Sequence, residues 1–176
     1  MLLKIVKYGH PILRETAKPV DRVDEETTRL IENMAQTMYG AEGMGLAANQ
    51  VGVLKRVIVL DEGIARGEDR NRILALINPE ITFEEGDLRG NEGCLSFPEL
   101  RGDLHRPERV IVKGLGKDGK PVKIEANDLL ARAICHEVDH LNGILFIDKM
   151  VRSDKELIKS KLRKLKKETM KELKKR

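Results

Sequence analysis

Short runs of apolar residues, broken by polar ones at regular intervals, mark most of the elements of this chain. Leu30, Ile31, Met34, Ala35 and Met38 recur at three- and four-residue spacing, which predicts an amphipathic helix. Asp24 stands where its N-cap belongs, and Gly40 and Gly43 are stop signals. Residues 56–60 and 73–77 read as strands, the second ended by Asn78-Pro79. Residues 109–113 and 121–125 flank Lys117-Asp118-Gly119-Lys120, which predicts a hairpin. Asn127 is placed to cap an Ala- and Leu-rich helix running to about Leu141. After the short apolar run Ile144-Leu145-Phe146-Ile147, Ser153-Asp154-Lys155-Glu156 reads as a capping box. It opens a last helix with a thin stripe of Ile158, Leu162, Leu165 and Leu173. Helices and strands do not alternate regularly, and links between strands are short. The expected class is therefore α+β, with antiparallel sheets packed around a central buried helix and a C-terminal helix.

Composition narrows the function classes. The chain has 176 residues, enough for one domain with a real core. Aromatic residues make up 3% and Trp is absent, which disfavours a binder that stacks bases on aromatic faces. No apolar run approaches the roughly 18 residues of a membrane span, so no membrane role is expected. Met1-Leu2-Leu3-Lys4-Ile5-Val6-Lys7 lacks the features of an export signal. The two cysteines, Cys94 and Cys135, make no disulfide framework, so reduced thiols and a cytoplasmic location are expected. The net charge of +4 is unevenly spread. Residues 152–176 hold 12 Lys and Arg against 4 Asp and Glu, whereas residues 1–151 hold 21 against 25. The expected organisation is a mildly acidic domain over 1–151 and a basic helical tail over 152–176.

The strongest chemical signal is His136-Glu137-Val138-Asp139-His140. On a helix, positions i and i+4 share a face, so both imidazoles can reach one metal ion. Glu137, beside that face, can serve a metal-activated water as a general base. The flanking Leu129, Leu130, Ala131, Ala133, Ile134, Val138 and Leu141 argue for a buried helix rather than a solvated one. A catalytic site of this type needs a third ligand. Phe146 stands where the longer metzincin pattern wants a histidine. Glu156 is available but has a local role in the capping box. Cys135 points about 100 degrees around the helix from His136 and reads as a small buried hydrophobe. Cys94, within Glu92-Gly93-Cys94-Leu95-Ser96, is the favoured candidate, since a thiolate is a strong ligand and Gly93 allows close approach. A third segment, Gly43-Met44-Gly45-Leu46-Ala47-Ala48-Asn49-Gln50, lacks the Lys-Ser/Thr of a phosphate loop. Its small residues suit a backbone edge for an extended peptide, and Gln50 can aim an amide N–H at a developing oxyanion. A close-packed turn is the competing reading.

Taken together, these segments resemble the peptide deformylase family. That family shows Gly-x-Gly-x-Ala-Ala-x-Gln, Glu-Gly-Cys-x-Ser and His-Glu-x-x-His in this order, and Tyr8-Gly9-His10-Pro11 through Lys18-Pro19-Val20 is similar to its opening segment. The resemblance implies a hydrolase that removes the formyl group from the N-terminal formyl-methionine of newly made proteins. It implies Cys94, His136 and His140 as ligands of one divalent ion, Fe2+ by family habit, with Zn2+, Ni2+ or Co2+ as substitutes and water in the fourth position. Glu137 would be the general acid/base, Gln50 and the Leu95 backbone N–H the oxyanion donors, and Gly43, Met44 and Gly45 the substrate contacts. Two alternatives stand beside it: a zinc metallopeptidase, and an RNA-binding protein with a structural metal. The basic tail reads either as a helix folded back on the body or as a dock for ribosomal RNA phosphates. Glu92 is expected to pair with Arg106 and brace the Cys94 segment. Asp139 reads either as an orienter of a ligand histidine or as an ordinary helix charge, and His10 and His105 are expected to have structural or surface roles.

Overall fold

The structure is a computed structural model that describes residues 1–69 and 71–175. Asp24 caps α1 (Glu25–Gly40) by accepting from Thr27 N–H, and the helix ends at Gly40 as the stop signals predict. The strands β1 (Gly45–Ala47), β2 (Val57–Asp61) and β3 (Ile73–Glu85) follow, with a one-turn helix α2 (Glu62–Ala65) after β2. Next come β4 (Leu88–Cys94), β5 (Phe97–Arg106), β6 (Arg109–Leu115) and β7 (Pro121–Asn127). The chain closes with α3 (Asp128–Leu141), a single turn α4 (Phe146–Lys149) and α5 (Arg152–Lys174). The pairs are all antiparallel: one five-stranded sheet in the order β1-β2-β3-β6-β7, and a separate hairpin of β4 and β5.

The larger sheet is covered on both faces, which is why β2 is a continuous apolar run. Ile58, Leu60, Leu76, Val110 and Val112 pack with Leu130, Ile134 and Leu141 of α3. The alternate positions Val57, Val59, Ala75 and Ile77 pack with Ile31, Met34 and Met38 of α1, as the two-residue period of a strand requires. Residues 130–141 of α3 are all buried, so the metal-type motif lies on the central helix of an α+β fold, as expected. The β4–β5 hairpin, α4 and α5 share a third core of Phe97, Leu104, Phe146, Met150 and Leu162.

Three local expectations are corrected. Strand β3 does not stop at Asn78-Pro79 but passes through it on a register shift between Ile77 and Glu80. Asn78 adopts φ 51° there, and its side chain bonds both N–H and C=O of Val20 at 2.8 and 2.9 Å. The bulge frees Pro79 from donating to the ladder. Asn127 occupies the N-cap of α3 without a side-chain capping bond. Residues 153–156 form no capping box, because α5 already begins at Arg152. Asp154 is used instead to accept from Asp103 N–H at 2.8 Å. The β4–β5 hairpin is not marked by the sequence pattern, because its inward positions hold Gly90, Glu92, Gly102 and Arg106 in place of apolar residues.

Candidate metal centre

Helix α3 sets His136 and His140 on one face with ring centroids 5.0 Å apart. Cys94, the last residue of β4, meets them from the hairpin. A register shift between Gly93 and Cys94 turns the strand, and Cys94 pairs with Phe97. Phe97 anchors that turn between Tyr8 and Phe146, at centroid distances of 4.9 and 5.0 Å. The Cys94 Sγ lies 3.3 Å from His140 Nε2. One sulfur and two imidazole nitrogens thus come within 4.8 Å of one another, the one such group of metal-binding type among the described residues.

A buried carboxylate organises this cluster. Glu92 accepts from Arg106 Nε and Nη2 at 2.9 and 3.0 Å, from Arg132 Nη1 at 2.9 Å, and from His136 Nδ1 at 2.8 Å. Burial alone would raise its pKa, but the bonds from His136 and Arg106 hold it well below the usual carboxylate range. An ionised carboxylate only accepts, so His136 Nδ1 carries the proton and Nε2 keeps its lone pair for a cation. The bracing role expected of Glu92 is present. Its contact with His136, 44 residues away, is what the sequence reading missed. Asp139 does not orient a ligand histidine: its carboxylate takes Arg106 Nη1 and, at 2.8 Å, Lys149 Nζ.

Glu137 is 5% exposed, and its Oε2 has no hydrogen-bond partner among the described residues. Burial pushes its carboxyl up to about 7. Gly45 explains how β1 comes so close: a Cβ there would lie 2.5 Å from Glu137 Oε1 and 2.8 Å from Leu60. Gln50 sits in a 3-10 turn over Ala48–Val51, where its Oε1 accepts from Ala47 N–H at 2.9 Å. Its amide nitrogen faces the centre, 3.2 Å from Ser96 Oγ and 3.4 Å from Cys94 Sγ. A cavity of about 550 Å³ opens over the cluster, lined by Gly43, Met44, Gly45, Gln50, Cys94, Leu95, His136 and Glu137 among others. His140 stands behind its wall.

The donor set fits a divalent ion. Burial opposes charge on His136, yet hydrogen bonding to Cys94 and Glu92 raises its pKa well above the ordinary value. Without an ion, a proton is thus held between the His136 ring and the sulfur, and a cation would take its place there. Burial, then His136, keeps His140 neutral and able to donate a lone pair. Cys94, His136 and His140 would hold the ion, and three ligands leave a position for water or substrate. Cys135 stays outside the site: it is buried, and burial pushes its thiol up to about 11, the inert hydrophobe expected. His10 accepts from Ile12 N–H at 3.2 Å, a structural contact, and the exposed His105 pairs with Asp87 at 2.9 Å on the surface.

A mixed fold that buries a Cys/His/His group beside a free carboxylate defines a metal-dependent hydrolase. A family model described as polypeptide deformylase matches residues 2–156, and the chain belongs to that family. It is 54% identical over 157 residues to a peptide deformylase of Halothermothrix orenii, covering 89% of this chain and 99% of that protein. It is 53% identical over 146 residues to one of Thermoanaerobacter pseudethanolicus, covering 83% and 87%. The fold matches a crystal structure of a peptide deformylase from Legionella pneumophila with a TM-score of 0.85 at 39% identity, covering 100% and 99% of the two chains. Enzymes of this family remove N-formyl groups from peptides with a metal ion, which sets aside the metallopeptidase and RNA-binding alternatives.

Proposed function

We propose that this chain removes the formyl group from the formyl-methionine of nascent proteins, with Cys94, His136 and His140 holding one divalent ion, Fe2+ foremost and Zn2+, Ni2+ or Co2+ as substitutes. The observation that carries the assignment is the convergence of these ligands from two separate elements, with Cys94, His136 and Glu137, whose Oε2 lacks a partner among the described residues, lining the cavity. The ion, when bound, supplies Lewis acidity and an acidified water. The chain does the rest. Gly43, Met44 and Gly45 border the peptide's path along the edge of β1. Glu137 takes the proton of the attacking water and passes it to the departing amine, because an amine leaves poorly without it. The oxygen of that water joins the formyl carbon, the carbon–nitrogen bond breaks, and formate is released. The Gln50 amide and the Leu95 N–H hold the charge that grows on the formyl oxygen.

The test uses protein purified without oxygen. With Fe2+ or Zn2+ and a formyl-Met peptide, formate should appear and the peptide backbone should stay intact. Chelation should stop the release. Backbone cleavage of the unformylated peptide would overturn the reading.

No helix among the described residues is long and apolar enough to cross a membrane, and a cytoplasmic site of action fits a substrate that emerges during synthesis. Residues 1–151 form the catalytic unit in this reading, and the basic tail docks on ribosomal RNA. Support for the dock is the row Arg163, Lys166, Lys167, Met170, Lys171 and Lys174 along one face of α5. Leu162 and Thr169 on the opposite face are buried against the body, so charge reversal is a cleaner test than deletion. Replacing Arg163, Lys167 and Lys171 by Glu should weaken ribosome binding roughly tenfold or more in low salt. Turnover of a short formyl-peptide should be unchanged. Equal ribosome binding by both forms would exclude the dock.

A further inference from the structure

Residues 6–8 run between the two segments that flank the metal centre and bond to both. Val6 N–H donates to the Gln50 carbonyl at 2.8 Å, and Tyr8 N–H donates to the Ser96 carbonyl at 2.9 Å. Between them the Lys7 side chain reaches the wall of the cavity, where Nζ donates to the Leu95 carbonyl at 2.8 Å. Gln50 closes the ring with its own bond to Ser96 Oγ at 3.2 Å. A lysine normally extends its ammonium into water. Here the ammonium is half-buried, and burial lowers its pKa while the Cys94 charge acts the other way. Placing a partly desolvated cation on a single backbone carbonyl is costly, and that carbonyl belongs to the residue after Cys94.

We infer that Lys7 is a positioning residue for the reaction: its bond fixes the Leu95–Ser96 peptide so that the Leu95 N–H and the Gln50 amide are aimed at one point. This rests on the reading of those two groups as oxyanion donors. Such donors act only when fixed in advance at the place where charge will appear, and small displacements are expensive in rate. The backbone bonds of Val6 and Tyr8 tie the segment down, and Lys7 supplies a side-chain bond to Leu95 itself.

The experiment compares Lys7→Met, Lys7→Arg and Gln50→Ala with the parent enzyme loaded with Co2+. Lys7→Met should lower kcat by roughly 10- to 100-fold while KM changes by less than about threefold. Its melting temperature, its bound metal and its cobalt absorption spectrum should stay as in the parent. Lys7→Arg, which can donate to the same carbonyl, should recover most of kcat. If Lys7→Met turns over normally while Gln50→Ala is impaired, the clamp is wrong and the donor reading stands. A loss in Lys7→Met matched by lost metal or lost stability would equally overturn it, as would Arg failing to restore kcat. If Gln50→Ala itself keeps full kcat, the donor reading falls and takes this inference with it.

Discussion

Glu137→Gln should reduce formate release by roughly 10²- to 10⁴-fold and leave the metal content and the melting temperature close to those of the parent. The amide keeps the shape of the carboxyl, so the contact with Gly45 and the packing of α3 survive. What it loses is the ability to take a proton from water and return it to nitrogen. The site itself shows why no neighbour can substitute. Glu92 is already committed to two arginines and His136, and Asp139 to Arg106 and Lys149. Steady-state turnover with a formyl-Met peptide, alongside metal analysis of the same sample, decides the matter. Near-full activity in the variant would remove Glu137 from the reaction.

Arg106→Ala is expected to have the largest effect on stability. Arg106 is 3% exposed and its partner Glu92 is 5% exposed. Removing the guanidinium strips Glu92 of two hydrogen bonds and Asp139 of one, leaving buried carboxylates short of compensation. Breaking a buried pair in this way costs about 3–5 kcal/mol, a fall in melting temperature of roughly 10 °C for a domain of this size. Because Glu92 also orients His136, metal affinity should fall by roughly 10- to 100-fold. Thermal unfolding of the metal-free protein separates the first effect from the second, which a chelator competition measures. An unchanged melting point and unchanged metal content would show that the network contributes neither.

How much of this was legible beforehand depends on the range over which each signal acts. The His136–His140 face, Glu137 and the helix that carries them follow from local periodicity, and so do α1 with its Asp24 cap and the β6–β7 hairpin. Cys94 is harder. The inward positions of its hairpin are taken by glycines and by the buried charges of Glu92 and Arg106, so the hydrophobic pattern there is weak. Thiolate chemistry beside Gly93 made it the favoured third ligand, and the order of the three motifs strengthened that reading. The hydrogen bonds that shape the centre were out of reach. Glu92 meets His136 across 44 residues and Lys7 meets Leu95 across 88, and no spacing rule links such pairs. Asn78-Pro79 misled for the opposite reason: its turn chemistry is real, but a bulge absorbs it and β3 continues.

Because the sulfur arrives on a hairpin and the two imidazoles on the central helix, the ligand set does not exist until these bodies have docked. An unfolded chain can offer an incoming ion little beyond the adjacent histidine pair. Under the proposed ligand set, an ion would be captured after docking and would then cross-link the hairpin to the central helix.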